Sequence, residues 1–299
     1  MTIALSSGAL SDDRLRGIGL MAVAVFLFSC LDTTAKYLSQ IVSPLEVSWF
    51  RFLSHMLIAL AVLRPWQHLE LYRTGRPVLV AMRAVSMVAC TALSFGALRY
   101  LALTEALPIQ FATPFLVTAL AGPILGEKAT GKHWLAVGLG FIGVVIVANP
   151  SGGSLHPVGL ALALASMASY AVYLVLTRLL GATESASSLI FWPSVLGVLA
   201  LGPAMAPSFT LPPSVMVWVL LFCTGVFGGL GHFLLIVAHK MAPAPVLAPF
   251  IYAQLLWTSI LAFFVFGETP TTSNLVGGVL IVLSGLYLLH LQRSRRPAA

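Results

Sequence analysis

The stretch PFIYAQLLWTSILAFFVFGE (249–268) runs from a proline to a Gly-Glu pair, and PIQFATPFLVTALAGPILGE (108–127) does the same over the same length. At an offset of 141 residues the two share Pro108/Pro249, Ala112/Ala253, Leu120/Leu261, Ala121/Ala262, Gly126/Gly267 and Glu127/Glu268 without a gap. The register extends beyond them. FGALRY (95–100) stands opposite IVAHKM (236–241), and Gly17 to Lys36 matches the length of Gly159 to Arg178 at an offset of 142. The chain therefore reads as an internal repeat, 1–150 and 151–299.

Composition says what is repeated. Apolar residues make up 59% of the 299, charged residues 8%, and mean hydropathy is +0.98. A soluble domain carries roughly 25% charged residues, so this chain could not clothe a surface in water. A bilayer span takes about 20 apolar residues. Runs of that kind fall near 17–38, 44–63, 78–98, 104–125, 132–149, 156–178, 187–205, 214–237, 243–266 and 272–291. They are continuous and not alternating, so helices are expected and a barrel is not. The first span contains Asp32 and Lys36 and shows no small-residue cleavage site, so it is read as a retained helix and not a signal peptide.

The expected fold is an all-α polytopic membrane protein, with ten transmembrane helices as two five-helix repeats. Five is odd, so the second copy enters the membrane from the opposite face and the repeats are inverted. Charge supports this. With the N-terminus inside, Arg14, Arg16, Arg64, Arg73, Arg76, Lys128, Lys132, Arg178, Lys240, Arg293, Arg295 and Arg296 all fall inside. Only Lys36 and Arg99 lie near outer ends, while Arg51 and Arg83 sit within spans. That asymmetry places both termini in the cytoplasm and explains the net charge of +7 without nucleic acid. Cys30, Cys90 and Cys223 lie in spans with no metal-ligand spacing and read as small packing residues. No metal or cofactor is expected.

AKYL in the first span, RF in the second, and GALRYLALTEA…P…LGE…G…G through the third to fifth resemble the drug/metabolite transporter superfamily, EamA family. The resemblance implies a central cavity surrounded by spans 1–4 and 6–9, with spans 5 and 10 peripheral. It also implies a bacterial inner-membrane exporter, most similar to the YddG type that releases aromatic amino acids and related compounds. The expected function is export of small amphipathic metabolites, foremost aromatic or apolar amino acids, by alternating access. Multidrug or cation efflux by proton antiport and a channel-like facilitator are the alternatives. An enzyme is not expected: HExxH, GxSxG and a pair of buried aspartates are all missing from the sequence.

Polar side chains inside a membrane tend to face protein or water. In span 4, Gln110, Thr113 and Val117 share a helical face, and in span 9 their repeat equivalents are Ile251, Gln254 and Thr258, flanked by Tyr252 and Trp257. Pro108, Pro114 and Pro249 remove backbone donors there, which frees carbonyls for a cavity or simply kinks the helices for packing. Ser166, Tyr170, Tyr173 and Thr177 line one face of span 6, and Arg83, Ser86, Cys90 and Ser94 form a seam in span 3. His232 aligns with Thr91. Asp32 and Arg51 lie at similar depth, about 10 Å from the span ends, so Asp32 is expected to pair with Arg51 or Lys36 as a gate or structural ion pair. Arg83 is expected to snorkel to the inner face. Small residues in GVFGGLG (225–231) and in spans 5 and 10 indicate close helix packing, with a monomer expected and a dimer face left open. The partners expected are a small solute and membrane lipid.

Overall fold

The computed structural model describes residues 4–126, 129–148, 156–181, 183–242 and 244–293. Glu127 and Lys128 of the first Gly-Glu turn lie outside the described residues. The first half contains α1 (Ala4–Ser39), α2 (Pro44–Leu63), α3 (Pro77–Ala97), α4 (Leu103–Phe111), α5 (Thr113–Leu125) and α6 (Gly131–Ala148). The second contains α7 (Pro157–Leu180), α8 (Ala186–Met205), α9 (Val215–Met241), α10 (Ala244–Ile251), α11 (Ala253–Phe266) and α12 (Thr272–Arg293). Counting α4 and α5 as one, nine helices among the described residues are long and apolar enough to span a bilayer. The α10–α11 pair supplies the tenth span. Side chains such as Phe264 (78% exposed) and Val62 (71%) stand on outer helix faces, where only lipid would cover them at no cost.

The repeat reappears in the details. Gly126 (φ 72°) and Gly267 (φ 69°) both close their helices in the left-handed conformation, which a residue with a Cβ rarely adopts. The fourth and ninth spans each break at one place, Ala112 in the first half and Tyr252 in the second. After each break the turn tightens, Phe115 N–H donating to Ala112 O at 3.0 Å and Leu255 N–H to Tyr252 O at 3.0 Å. The two breaks meet, with the Phe111 and Tyr252 rings 5.4 Å apart.

Packing follows the same two-fold relation. α1 lies along α9, and its counterpart α7 lies along α3; α1 also packs on α10 and α11, as α7 does on α4 and α5. α2 packs on α8 and α6 on α12, each helix on its own repeat equivalent. The cohesive groups thus mix the halves: α1, α9, α10 and α11 form one bundle, and α3, α4, α5 and α7 the other. The two sequence halves interlock and are not two separate lobes. Glycines set the closest approaches. A Cβ on Gly143 of α6 would lie 2.9 Å from Gly277 O of α12, and one on Gly225 of α9 would lie 2.9 Å from Arg51 O of α2.

Candidate functional site

On the first bundle, α1 carries a polar stripe of Ser29, Asp32, Thr33 and Lys36. Gln254 of α11 donates from Nε2 to Asp32 Oδ2 at 3.1 Å, and Thr258, one turn on, donates to Ser29 Oγ at 3.0 Å. Ser29 in turn donates to Val25 O at 3.0 Å. Ser29 was not among the residues expected, though its place one turn before Asp32 could have flagged it. His232 of α9 packs edge-on against Phe28, ring centroids 4.9 Å apart.

On the second bundle, Ser166 of α7 donates to Cys90 O at 2.9 Å and lies 3.4 Å from Gln110 Oε1. Tyr170 and Tyr173 stack with centroids 5.7 Å apart and planes 11° from parallel. The Tyr170 hydroxyl has no hydrogen-bond partner among the described residues. Arg83 does not snorkel. It is 4% exposed, donating from Nε to Thr177 Oγ1 (2.7 Å), from Nη1 to Leu189 O (2.6 Å) and from Nη2 to Tyr173 OH (3.0 Å). Its guanidinium also lies 4.5 Å from the Tyr173 ring centroid.

Arg51 enters between the bundles from α2. Its Nη1 donates to Thr91 Oγ1 at 2.5 Å, and its guanidinium lies 5.6 Å from the Phe95 ring centroid and 5.7 Å from that of Phe52. A Cβ on Gly228 of α9 would lie 3.5 Å from Arg51 Nε, so Arg51 touches both bundles. The expected ion pairs of Asp32 do not form. An ion pair instead joins Lys36 to Glu268, the glutamate of the second Gly-Glu pair. Lys36 Nζ also donates to Leu101 O at 3.0 Å, and Glu268 Oε2 accepts from Leu103 N–H at 2.9 Å. This cluster fastens α1 and the end of α11 to the start of α4 and so joins the two bundles at one end.

Three expected cavity residues have other surroundings. Pro114 has no N–H to offer Gln110 O, and the Thr113 hydroxyl takes that carbonyl at 2.5 Å, so Thr113 serves the break. Tyr252 lies against Phe111 and presses its hydroxyl on the bare face of Gly285 in α12. Trp257 stands edge-on to Phe26, centroids 5.2 Å apart and both rings over a third exposed, away from the polar groups. The contacts thus group Asp32, Gln254 and Thr258 on one bundle and Gln110, Tyr170 and Tyr173 on the other, with Arg51 bonded to α3 and Lys36 bound at the far end of α1.

Broken helices meeting at the centre of an inverted repeat, with polar groups gathered there, define a helical membrane transporter. Two matches to the EamA-like transporter family model, over residues 15–149 and 157–290, cover most of the chain, and the protein belongs to that family. The chain is 29% identical over 278 residues to an S-adenosylmethionine uptake transporter of Rickettsia bellii, covering 93% of this chain and 94% of that one. It is 26% identical over 273 residues to the pseudopaline exporter CntI of Pseudomonas aeruginosa, covering 91% and 95%. It is 28% identical over 223 residues to a riboflavin transporter of Brucella anthropi, covering 73% and 78%. A solved crystal structure at 18% identity superposes with a TM-score of 0.62 over 96% of this chain and 99% of that one, showing the same fold. The protein is a small-molecule transporter and not an enzyme.

Proposed function

We propose that the protein carries small amphipathic metabolites with an amino-acid head group by alternating access. The carrying observation is that an acidic and a basic side chain, Asp32 held by Gln254 and Arg51 held by Thr91, stand inside the membrane-spanning helices and form no ion pair. Two half-buried ionisable groups left apart in a membrane are costly unless something completes them. A zwitterion does so: its carboxylate meets Arg51, its ammonium meets Asp32, and Gln254 and Thr91 hold those two side chains in place. Tyr170, with a free hydroxyl, and Gln110 border the space for the rest of the solute. S-adenosylmethionine, the solute in the name of several relatives, contains an amino-acid head group of this kind.

The Lys36–Glu268 cluster closes one end of the path, and parting the two bundles there opens it. Repeats 1–150 and 151–299 give each end an equivalent set of helices, so the same motion turned over opens the other end. In this reading both termini are cytoplasmic, the membrane is the bacterial inner membrane, the unit is a monomer, and the Lys36 end faces outward. Alternating access is reversible. Export is the direction that the family resemblance implies, uptake is the direction named for the Rickettsia relatives, and solute gradients decide between them.

The test is uptake of a radiolabelled amino-acid panel into proteoliposomes, with and without a pH gradient. Saturable uptake, accelerated by unlabelled amino acid on the far side, is expected. Linear flux would favour a channel, strict dependence on a pH gradient would favour proton antiport through Asp32, and no flux of any amino acid would refute the proposal.

A further inference from the structure

Charge in the middle of the molecule does not balance. Among the described residues Asp32 is the one carboxylate well inside a span, and Arg51 and Arg83 both lie within spans. Arg83 has no acidic partner among the described residues; its donors end on a hydroxyl, a carbonyl and a phenol, all neutral. Arg83 donates to the hydroxyl of Tyr173, which stacks on Tyr170, and Arg51 donates to Thr91 on α3, the helix that carries Arg83. The Arg83 guanidinium is 4% exposed and keeps three neutral acceptors and the Tyr173 ring face, but no counter-charge, so its charge is only partly compensated.

A second, independent feature lies beside it. Ser188 Oγ and Trp192 Nε1 are buried with no hydrogen-bond partner. They stand one turn apart on one flank of α8, next to Leu189, whose carbonyl Arg83 holds. Trp192 packs against the buried cluster of Val80, Leu180 and Leu189, and Val80 shares a face of α3 with Arg83. Buried donors are nearly always satisfied. A carboxylate would take both and the two N–H groups Arg83 has left.

We propose that Arg83, Ser188 and Trp192 form a second carboxylate subsite, so that the preferred solute is an amino acid with one more carboxylate than ammonium. This rests on the amino-carboxylate reading of Asp32 and Arg51. It sets this chain apart from a carrier tuned to a cationic solute. Arg83 sits about 9 Å inside the end of α3, which places the subsite between the central site and that end of the path.

The experiment is competition in proteoliposome counterflow with membrane potential clamped at zero, using L-aspartate, L-glutamate and L-2-aminoadipate against L-glutamine and L-lysine. At least one acidic amino acid is expected to compete about tenfold better than glutamine, with lysine weakest. Equal competition by all three acids and glutamine overturns the proposal and leaves the amino-acid reading standing. If no amino acid competes at all, both fall. Arg83→Gln is expected to bring the acid-to-glutamine ratio below about two, while Arg83→Lys keeps most of it. An unchanged ratio in Arg83→Gln refutes the subsite. Should Arg83→Gln yield no folded protein, Trp192→Phe decides: a fall of about fivefold in the ratio supports the subsite and no fall refutes it.

Discussion

Replacing Glu268 with glutamine is expected to loosen one end of the transporter, and its size can be worked from the structure. Glutamine keeps an acceptor for Leu103 N–H, so what is lost is the charge opposite Lys36. The side chains of Lys36 and Glu268 are 10% and 18% exposed, so the pair is nearly dry. Removing one partner of a fully buried pair costs about 3–5 kcal/mol. Lys36 keeps the Leu101 carbonyl and some contact with solvent, which brings the expected cost to about 2 kcal/mol, or roughly a thirtyfold shift from closed to open at this end. Thr33, 7% exposed and one turn deeper on α1, reports on that opening. With Cys30, Cys90 and Cys223 replaced by serine, Thr33→Cys is labelled by a membrane-impermeant maleimide added on the Lys36 side. Glu268→Gln is expected to raise the labelling rate about tenfold or more. Adding Lys36→Met should reverse most of that rise, because no buried charge is then left alone. A labelling rate in Glu268→Gln within about twofold of the parent would show that the cluster does not hold this end shut.

Other substitutions separate the site from the scaffold. Gln254→Ala leaves Asp32 without its donor and is expected to raise the half-saturation concentration for uptake about tenfold with little change in maximal rate; an unchanged value would detach Gln254 from solute binding. Gly143→Val drives a side chain against the α12 backbone and should lower the detergent-solubilised melting temperature by several degrees, a cost of about 1–3 kcal/mol, while solute affinity is retained. A melting temperature equal to the parent's would contradict the close α6–α12 contact. Tyr173→Phe keeps the ring over Arg83 and loses only the hydroxyl, so its effect on affinity should be clearly smaller than that of Tyr173→Ala. Equal effects would mean that the cation–ring contact contributes nothing.

What was legible in the sequence was whatever the membrane and the backbone dictate locally. Bilayer thickness fixes the length of each apolar run, so the spans near 44–63 and 78–98 agree with α2 and α3 to within a residue. The matched glycines at 126 and 267 were visible because only glycine takes that turn readily, and both do take it. Partners of charged side chains were not legible, because they depend on contacts across hundreds of residues. Lys36 finds Glu268, 232 positions away, where chain-local reasoning offered Asp32 one turn below. Arg83 looked near enough to an interface to reach water, but α7 and α8 supply a hydroxyl, a phenol and a carbonyl that hold it inside. Thr113 and Trp257 share helical faces with Gln110 and Gln254, and periodicity alone could not tell the break-filling hydroxyl or the exposed ring from a candidate site group.

The most direct test of Asp32 and Arg51 as the receptors of an amino-acid head group is counterflow of a transported amino acid against its own carboxamide. The amide differs only in lacking the negative charge that Arg51 would receive. The parent protein is expected to favour the acid by about tenfold or more, and Arg51→Gln to shrink that preference to about twofold. A preference that survives Arg51→Gln at full size, in a protein that still transports, would contradict the assignment of Arg51 and with it the proposed mode of recognition.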